Sequence, residues 1–169
     1  LNQFLKEQHM NQRNLSAKKK IHNFYFKSLK NSKIKKIYFK FKKNLDIQKS
    51  TNMAVAISGG SDSIALAFLS KCYALENNTK FTYFIVDHKI RKESTKEAKI
   101  TKNKLKTFGI KSEILTCYKK IKKSNLQSAA RENRYNLIFN KCFKNKINLV
   151  LTAHHMNDMY ENFFIRMLR

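Results

Sequence analysis

Ser58-Gly59-Gly60-Ser61-Asp62-Ser63 sets two of the chain's three glycines side by side among hydroxyls, directly after the apolar run Met53–Ser58. A glycine pair lets backbone turn with positive φ or approach a bound group closely. A helix opening here offers unpaired N–H groups and a positive dipole end, so the segment predicts a cradle for phosphates. It is no Walker loop, because GxxxxGK[ST] occurs nowhere in the chain. Val86-Asp87-His88, followed by Arg91, Ser94 and Glu97, is a second loaded segment; His88 either touches a base or caps a strand. In Asn125 to Tyr135 (NLQSAARENRY), helical spacing puts Arg131, Arg134 and Tyr135 within about 100° of arc. Two guanidiniums there can clamp phosphates beside a stacking ring, or pair on the surface with Glu132. Asp158 and Glu161, at i and i+3, can hold Mg²⁺ or orient an amine, or form a solvated face. His154 and His155 read as structural rather than zinc ligands, since only one of two adjacent strand residues faces a site.

These segments need elements to hold them. Apolar runs predict strands at Met53–Ser58, Phe81–Asp87, Ile110–Thr116 and Asn148–Ala153. Between them, helical spacing runs from Ile64 to Leu75. Ser94 with Glu97 reads as a capping box opening a helix to about Phe108, and Gly109 closes it. Ser124 with Gln127 opens another helix to about Lys144, and a last one covers Asn157–Leu168. Four strand–helix alternations predict an α/β fold, an open, mostly parallel sheet with helices on both faces. Ligands in such sheets bind where strands end and helices begin, which is where all four segments fall.

The balance of 36 Lys+Arg against 11 Asp+Glu, net +25, makes a polyanion such as nucleic acid the leading partner. An anionic membrane surface is second, and drift in an AT-rich genome is the bland reading. No apolar run approaches the roughly 18 residues of a membrane span. Cys72, Cys117 and Cys142 form neither a CxxC pair nor a disulfide framework and read as reduced core thiols. Residues 1–50 hold 14 Lys+Arg and 2 acids, and 51–169 form the sheet domain. In that basic extension Ile34, Ile37, Tyr38, Phe41 and Leu45 predict one amphipathic helix whose lysine face either follows a phosphate backbone or is simply solvated. The first thirty residues are acid-poor but also Arg-poor, which disfavours a transit peptide.

SGGSDS after an apolar strand resembles the SGGxDS pyrophosphate loop of the N-type ATP pyrophosphatases. The other three segments resemble VDHGLRxES…E, N-x-x-x-A-A-R-x-x-R-Y and TGHHxDDxxET of the tRNA(Ile)-lysidine synthases in that superfamily. The resemblance covers residues 53–169 and implies an adenine nucleotide alpha hydrolase-like fold using ATP and Mg²⁺. It implies adenylation of the wobble cytidine O2 in CAU-anticodon tRNA(Ile) and attack by free lysine, which gives lysidine and changes codon reading from AUG to AUA. By the same resemblance Ser58, Gly59, Gly60, Ser61, Asp62, Ser63 and His88 bind ATP. Asp62 and Asp158 take the metal, and Asp62, Arg131, Arg134, Asp158 and Glu161 form the catalytic set. Asn157, Lys89 and Asn162 depart from the pattern, where the family has Asp, Gly and Thr. The family continues with a glycine-rich loop and, in long forms, tRNA-holding domains, so a shortened catalytic domain is expected. That leaves open a homodimer or a separate C-terminal partner. A tRNA thiolase using the same adenylation, and a noncatalytic tRNA-binding remnant, are the alternatives. The expected compartment is the cytoplasm of a bacterium with a reduced genome, or an organelle interior.

Overall fold

Apolar side chains on both faces of its central strand decide the architecture. In the computed structural model the described residues are 15–16, 19–118 and 126–154, with side chains from 129 onward in the last range. Strands β1 (Asn52–Ile57), β2 (Lys80–Asp87), β3 (Ser112–Thr116) and β4 (Leu149–Thr152) make one sheet in the order β3-β2-β1-β4, every neighbouring pair parallel. On β1, Val55 and Ile57 pack with Tyr83, Ile85, Ala67, Ala98 and Leu105, beneath helices α3 (Ser61–Asn77) and α4 (Ser94–Thr107). On the other face Ala54 and Phe84 pack against Ile138 and Cys142 of α5 (Leu126–Lys144). Helices thus lie on both faces, and the strand order reverses between β1 and β4. In an open α/β sheet that reversal leaves a crevice at the carboxyl ends of the two strands.

The basic N-terminal helices are docked on this sheet. They are α1, whose continuous described turns are residues 19–28, and α2 (Ser32–Gln48). Tyr25 is 0% exposed and its hydroxyl donates to the Phe108 carbonyl at 2.7 Å. Tyr38 and Leu45 of α2 join Met53, Cys72 and Tyr73 in the same cluster, and Lys42 pairs with Glu76 at 2.5 Å. Ile37 departs from the sequence expectation: it is 58% exposed. Ile34, Tyr38, Phe41 and Leu45, at i, i+4, i+7 and i+11, set a narrower stripe, and Ile37 falls off its edge.

Gly109 ends α4 as expected. Its φ of +67° permits a Schellman closure, with Gly109 N–H donating to Lys106 O at 2.9 Å and Ile110 N–H to Leu105 O at 3.0 Å. That closure occupies Ile110, so β3 starts at Ser112 rather than Ile110. The end of α5 repeats the motif with a lysine: Lys146 has φ +53°, and Ile147 N–H donates to Cys142 O at 2.9 Å. A Cβ in that conformation is strained, so Lys146→Gly is expected to stabilise the chain by about 1 kcal/mol in urea unfolding. An unchanged or lower midpoint would show that the lysine side chain offsets the strain.

The capping box expected at Ser94 is not there. Glu93 is the N-cap, with no side-chain cap bond. The Ser94 hydroxyl lies within hydrogen-bond distance of Asp87 Oδ1 (2.9 Å) and Arg91 O (3.0 Å), and Glu97 pairs with Arg91 at 3.3 Å. A buried carboxylate is a stronger acceptor than the helix needs a cap, and it draws the serine away. The predicted helix over 157–168 and the cap residue Ser124 lie outside the described residues, as does the side chain of Gln127. No helix among the described residues is long and apolar enough to cross a membrane.

Candidate active site

A cavity of about 340 Å³ opens at the carboxyl ends of β1, β2 and β4. Its floor is the strand ends at Ile57, Val86 and Thr152, and its walls come from α3, α4 and α5. The glycine loop closes one side. Gly59 has φ +92°, and a Cβ there would stand 2.8 Å from Thr101 Oγ1, so both backbone and neighbour require glycine. Gly60 differs: at φ −70° and ψ 163° any residue fits, and a Cβ would meet only Ser58 Oγ at 3.7 Å. Nothing in the fold itself calls for glycine at that position.

Ser63 holds the loop in shape. It is 2% exposed, and its hydroxyl donates to Gly60 O at 2.8 Å while accepting from Gly59 N–H at 3.1 Å and Ser58 Oγ at 3.2 Å. Its one hydrogen and both lone pairs are therefore occupied inside the loop. The α3 N-cap Gly60 supplies no side-chain acceptor, which leaves the first helical N–H groups facing outward with the positive dipole end. Ser61 and Asp62 are exposed in that first turn, with Ser61 Oγ 3.3 Å from Asp62 Oδ1.

Across the cavity stand His88 and Arg134, joined by a hydrogen bond from Arg134 Nε to His88 Nε2 at 3.2 Å. Burial, then the Arg134 cation, hold the His88 pKa below the ordinary histidine value against the pull of Asp87. Tyr135 also lines the cavity, and its hydroxyl lies 3.4 Å from His154 Nδ1. Arg131 is exposed and does not line the cavity; its guanidinium carbon lies 5.9 Å from the Tyr135 centroid. The expected face thus divides: Arg134 and Tyr135 meet the cavity, and Arg131 lies over the tyrosine ring without lining the cavity. Asp158, Glu161 and His155 lie outside the described residues, as do Asn125, Asn157 and Asn162.

Asp87, named within its segment but given no role there, is a positioning group. It is 2% exposed at the end of β2 and accepts from Lys89 N–H at 3.0 Å, Ser94 Oγ at 2.9 Å and Thr95 Oγ1 at 2.6 Å. Burial pushes its pKa up, but these donors outweigh it and hold the carboxyl below the usual aspartate value. The loop they fix carries His88, with Lys89 at φ +51°. An acid closing an apolar strand, with a hydroxyl pair seven and eight residues on, was the available signal.

The PP-loop domain family matches residues 28–169. The tRNA(Ile)-lysidine synthase of Rickettsia africae is 40% identical over 119 residues, which cover 70% of this chain and 25% of that protein. The one from Rickettsia bellii is 40% identical over the same length, covering 28% of its own. The chain therefore spans about a quarter of the length of the curated relatives it matches. In fold it is similar to the U34-tRNA thiolase NcsA of Methanococcus maripaludis, with a TM-score of 0.61 and 18% identity over 69% of this chain and 42% of that one. With its glycine loop, switch-point cavity and a match over most of its length, this chain belongs to the PP-loop domain family.

Proposed function

We propose that this chain is the adenylating core of a tRNA(Ile)-lysidine synthase, taking ATP in the cavity beyond β1 and β4. The observation that carries this reading is Gly60, a glycine the fold does not need, at an uncapped helix start beside the cavity. Room for close approach together with free N–H groups suits a polyphosphate. In the proposed reaction the wobble cytidine O2 bonds to the ATP α-phosphorus as pyrophosphate leaves. The lysine amine then bonds to C2 of the base, AMP departs with the former O2, and the amine gives up a proton. Charge grows on phosphate oxygens in the first step, where the loop N–H groups and Arg134 would stabilise it, with Arg131 nearby. Asp158 and Glu161 would position or deprotonate the amine.

Asp62, the acidic residue in the first turn of α3, suits Mg²⁺ held jointly with phosphates at the uncapped helix start. One or two carboxylates plus phosphate oxygens is an ordinary Mg²⁺ shell, so Asp62 with Asp158 would hold the ion. Once bound, it would neutralise charge on the phosphates.

Thiolation is the weaker reading because all three cysteines are buried, and burial pushes the Cys72 thiol up to about 12. The test is incubation with MgATP, labelled lysine and CAU-anticodon isoleucine tRNA. Label is expected in the RNA, reduced about a hundredfold or more by Asp62→Ala. ATP–pyrophosphate exchange without label would keep the adenylating core and remove lysine as the amine. Absence of both signals in a folded chain would overturn the enzyme reading in favour of a tRNA-binding remnant.

A further inference from the structure

Arg134 is bonded to an unusual partner. Among the described residues its guanidinium meets no carboxylate; its hydrogen bond goes from Nε to an imidazole nitrogen. A guanidinium carries donors and no acceptor, so His88 Nε2 must be the lone-pair nitrogen and the ring hydrogen must sit on Nδ1. His88 Nδ1 is buried and has no hydrogen-bond partner among the described residues. One ring nitrogen is therefore engaged and the other is shut away from solvent. In this arrangement His88 has no polar atom to give a base entering the cavity, although its ring lines the wall.

We infer that His88 is a positioning residue: its Nε2 lone pair fixes Arg134 through Nε and leaves the other four N–H donors of the fork for the phosphates of a bound nucleotide. Three features support the inference. The loop carrying His88 is pinned by the three donors on Asp87, so the acceptor is set before any ligand arrives. A neutral acceptor holds the cation without neutralising it, whereas a carboxylate there would compete with phosphate for the same charge. The Nε contact also orients the guanidinium plane, which Arg–phosphate pairing depends on. Protonation at Nε2 would replace the lone pair by a second N–H facing Arg134 and break the contact. The groups lining the same cavity that bear on this titration are Arg91, Glu97, Arg134, Tyr135 and His154, with Asp87 beside the ring.

The inference rests on the nucleotide reading above, and the test separates the two. Equilibrium binding of MgATP and of magnesium tripolyphosphate is measured for the unaltered chain, His88→Ala, His88→Gln, Arg134→Ala and the His88→Ala/Arg134→Ala double variant. His88→Ala is expected to weaken both ligands alike, by about tenfold, roughly one charge-assisted hydrogen bond. The double variant should bind no worse than Arg134→Ala, and His88→Gln, whose Oε1 can accept from Nε, should recover most of the loss. A His88→Ala loss confined to ATP would mean a direct base contact and overturn the inference. Additive losses in the double variant would overturn it equally, since residues acting through one contact cannot add. If the unaltered chain binds neither ligand, the nucleotide reading fails and this inference fails with it.

Discussion

Gly60→Ala is expected to weaken nucleotide binding and leave the fold intact, while Gly59→Ala does damage of the opposite kind. At Gly60 the backbone is extended and the space is open, so a methyl group changes only the N-cap preference, about 0.5 kcal/mol in denaturant unfolding. On the proposed nucleotide reading, that methyl would stand where phosphates come against the first turn of α3, and affinity for MgATP should fall at least about tenfold. At Gly59 a side chain is forced to φ +92° and to within 2.8 Å of Thr101 Oγ1, for a loss of about 2 kcal/mol. Two adjacent glycines thus give a control for each other. Equal stability losses with unchanged MgATP affinity in Gly60→Ala would reduce the loop to an ordinary turn.

Asp87→Ala is expected to be the most destabilising change at the site. It removes a buried acceptor and leaves the Lys89 N–H and the Thr95 hydroxyl without their partner, while the Ser94 hydroxyl keeps Arg91 O, for about 3 kcal/mol. The effect should depend on pH. The folded carboxyl titrates below its unfolded value of about 3.9, so its contribution is complete above that pH and disappears as pH falls through the folded value. Urea unfolding of the unaltered chain and of Asp87→Ala at pH 7 and near pH 3 should therefore show a gap that narrows with acid. A gap of constant size would mean that Asp87 is not held as a carboxylate. Because the same loop carries His88, the variant should also weaken ATP through the Arg134 contact.

What could be read from sequence was local. The four strands and the Gly59–Gly60 loop announce themselves through short apolar runs and one backbone requirement, and their predicted bounds fall within two residues of the observed ones. Gly109 was legible for the same reason. Other features depend on which elements meet. Ser94 and Glu97 have the spacing of a capping box, but the Asp87 carboxylate across the loop claims the serine. Arg131 and Arg134 differ by one helical turn, and spacing alone could not say that only the second reaches the cavity. The burial of Tyr25 carries no signal in a lysine-rich segment, since it is set by the aromatic surface of Phe68 and Phe108 far along the chain.

That tyrosine bears on how the molecule is cut for experiments. The family match begins at residue 28, three positions after a side chain with no exposed surface. A fragment drawn at the homology boundary would strip most of α1 from Phe68 and open that apolar surface to water, and the lost burial of the Tyr25 ring alone costs about 2–3 kcal/mol. It would also free the Phe108 carbonyl and uncover Gly109 where Ile21 now packs. The edge of kinship and the edge of the folding unit are different places in this chain, and expression boundaries should follow the second.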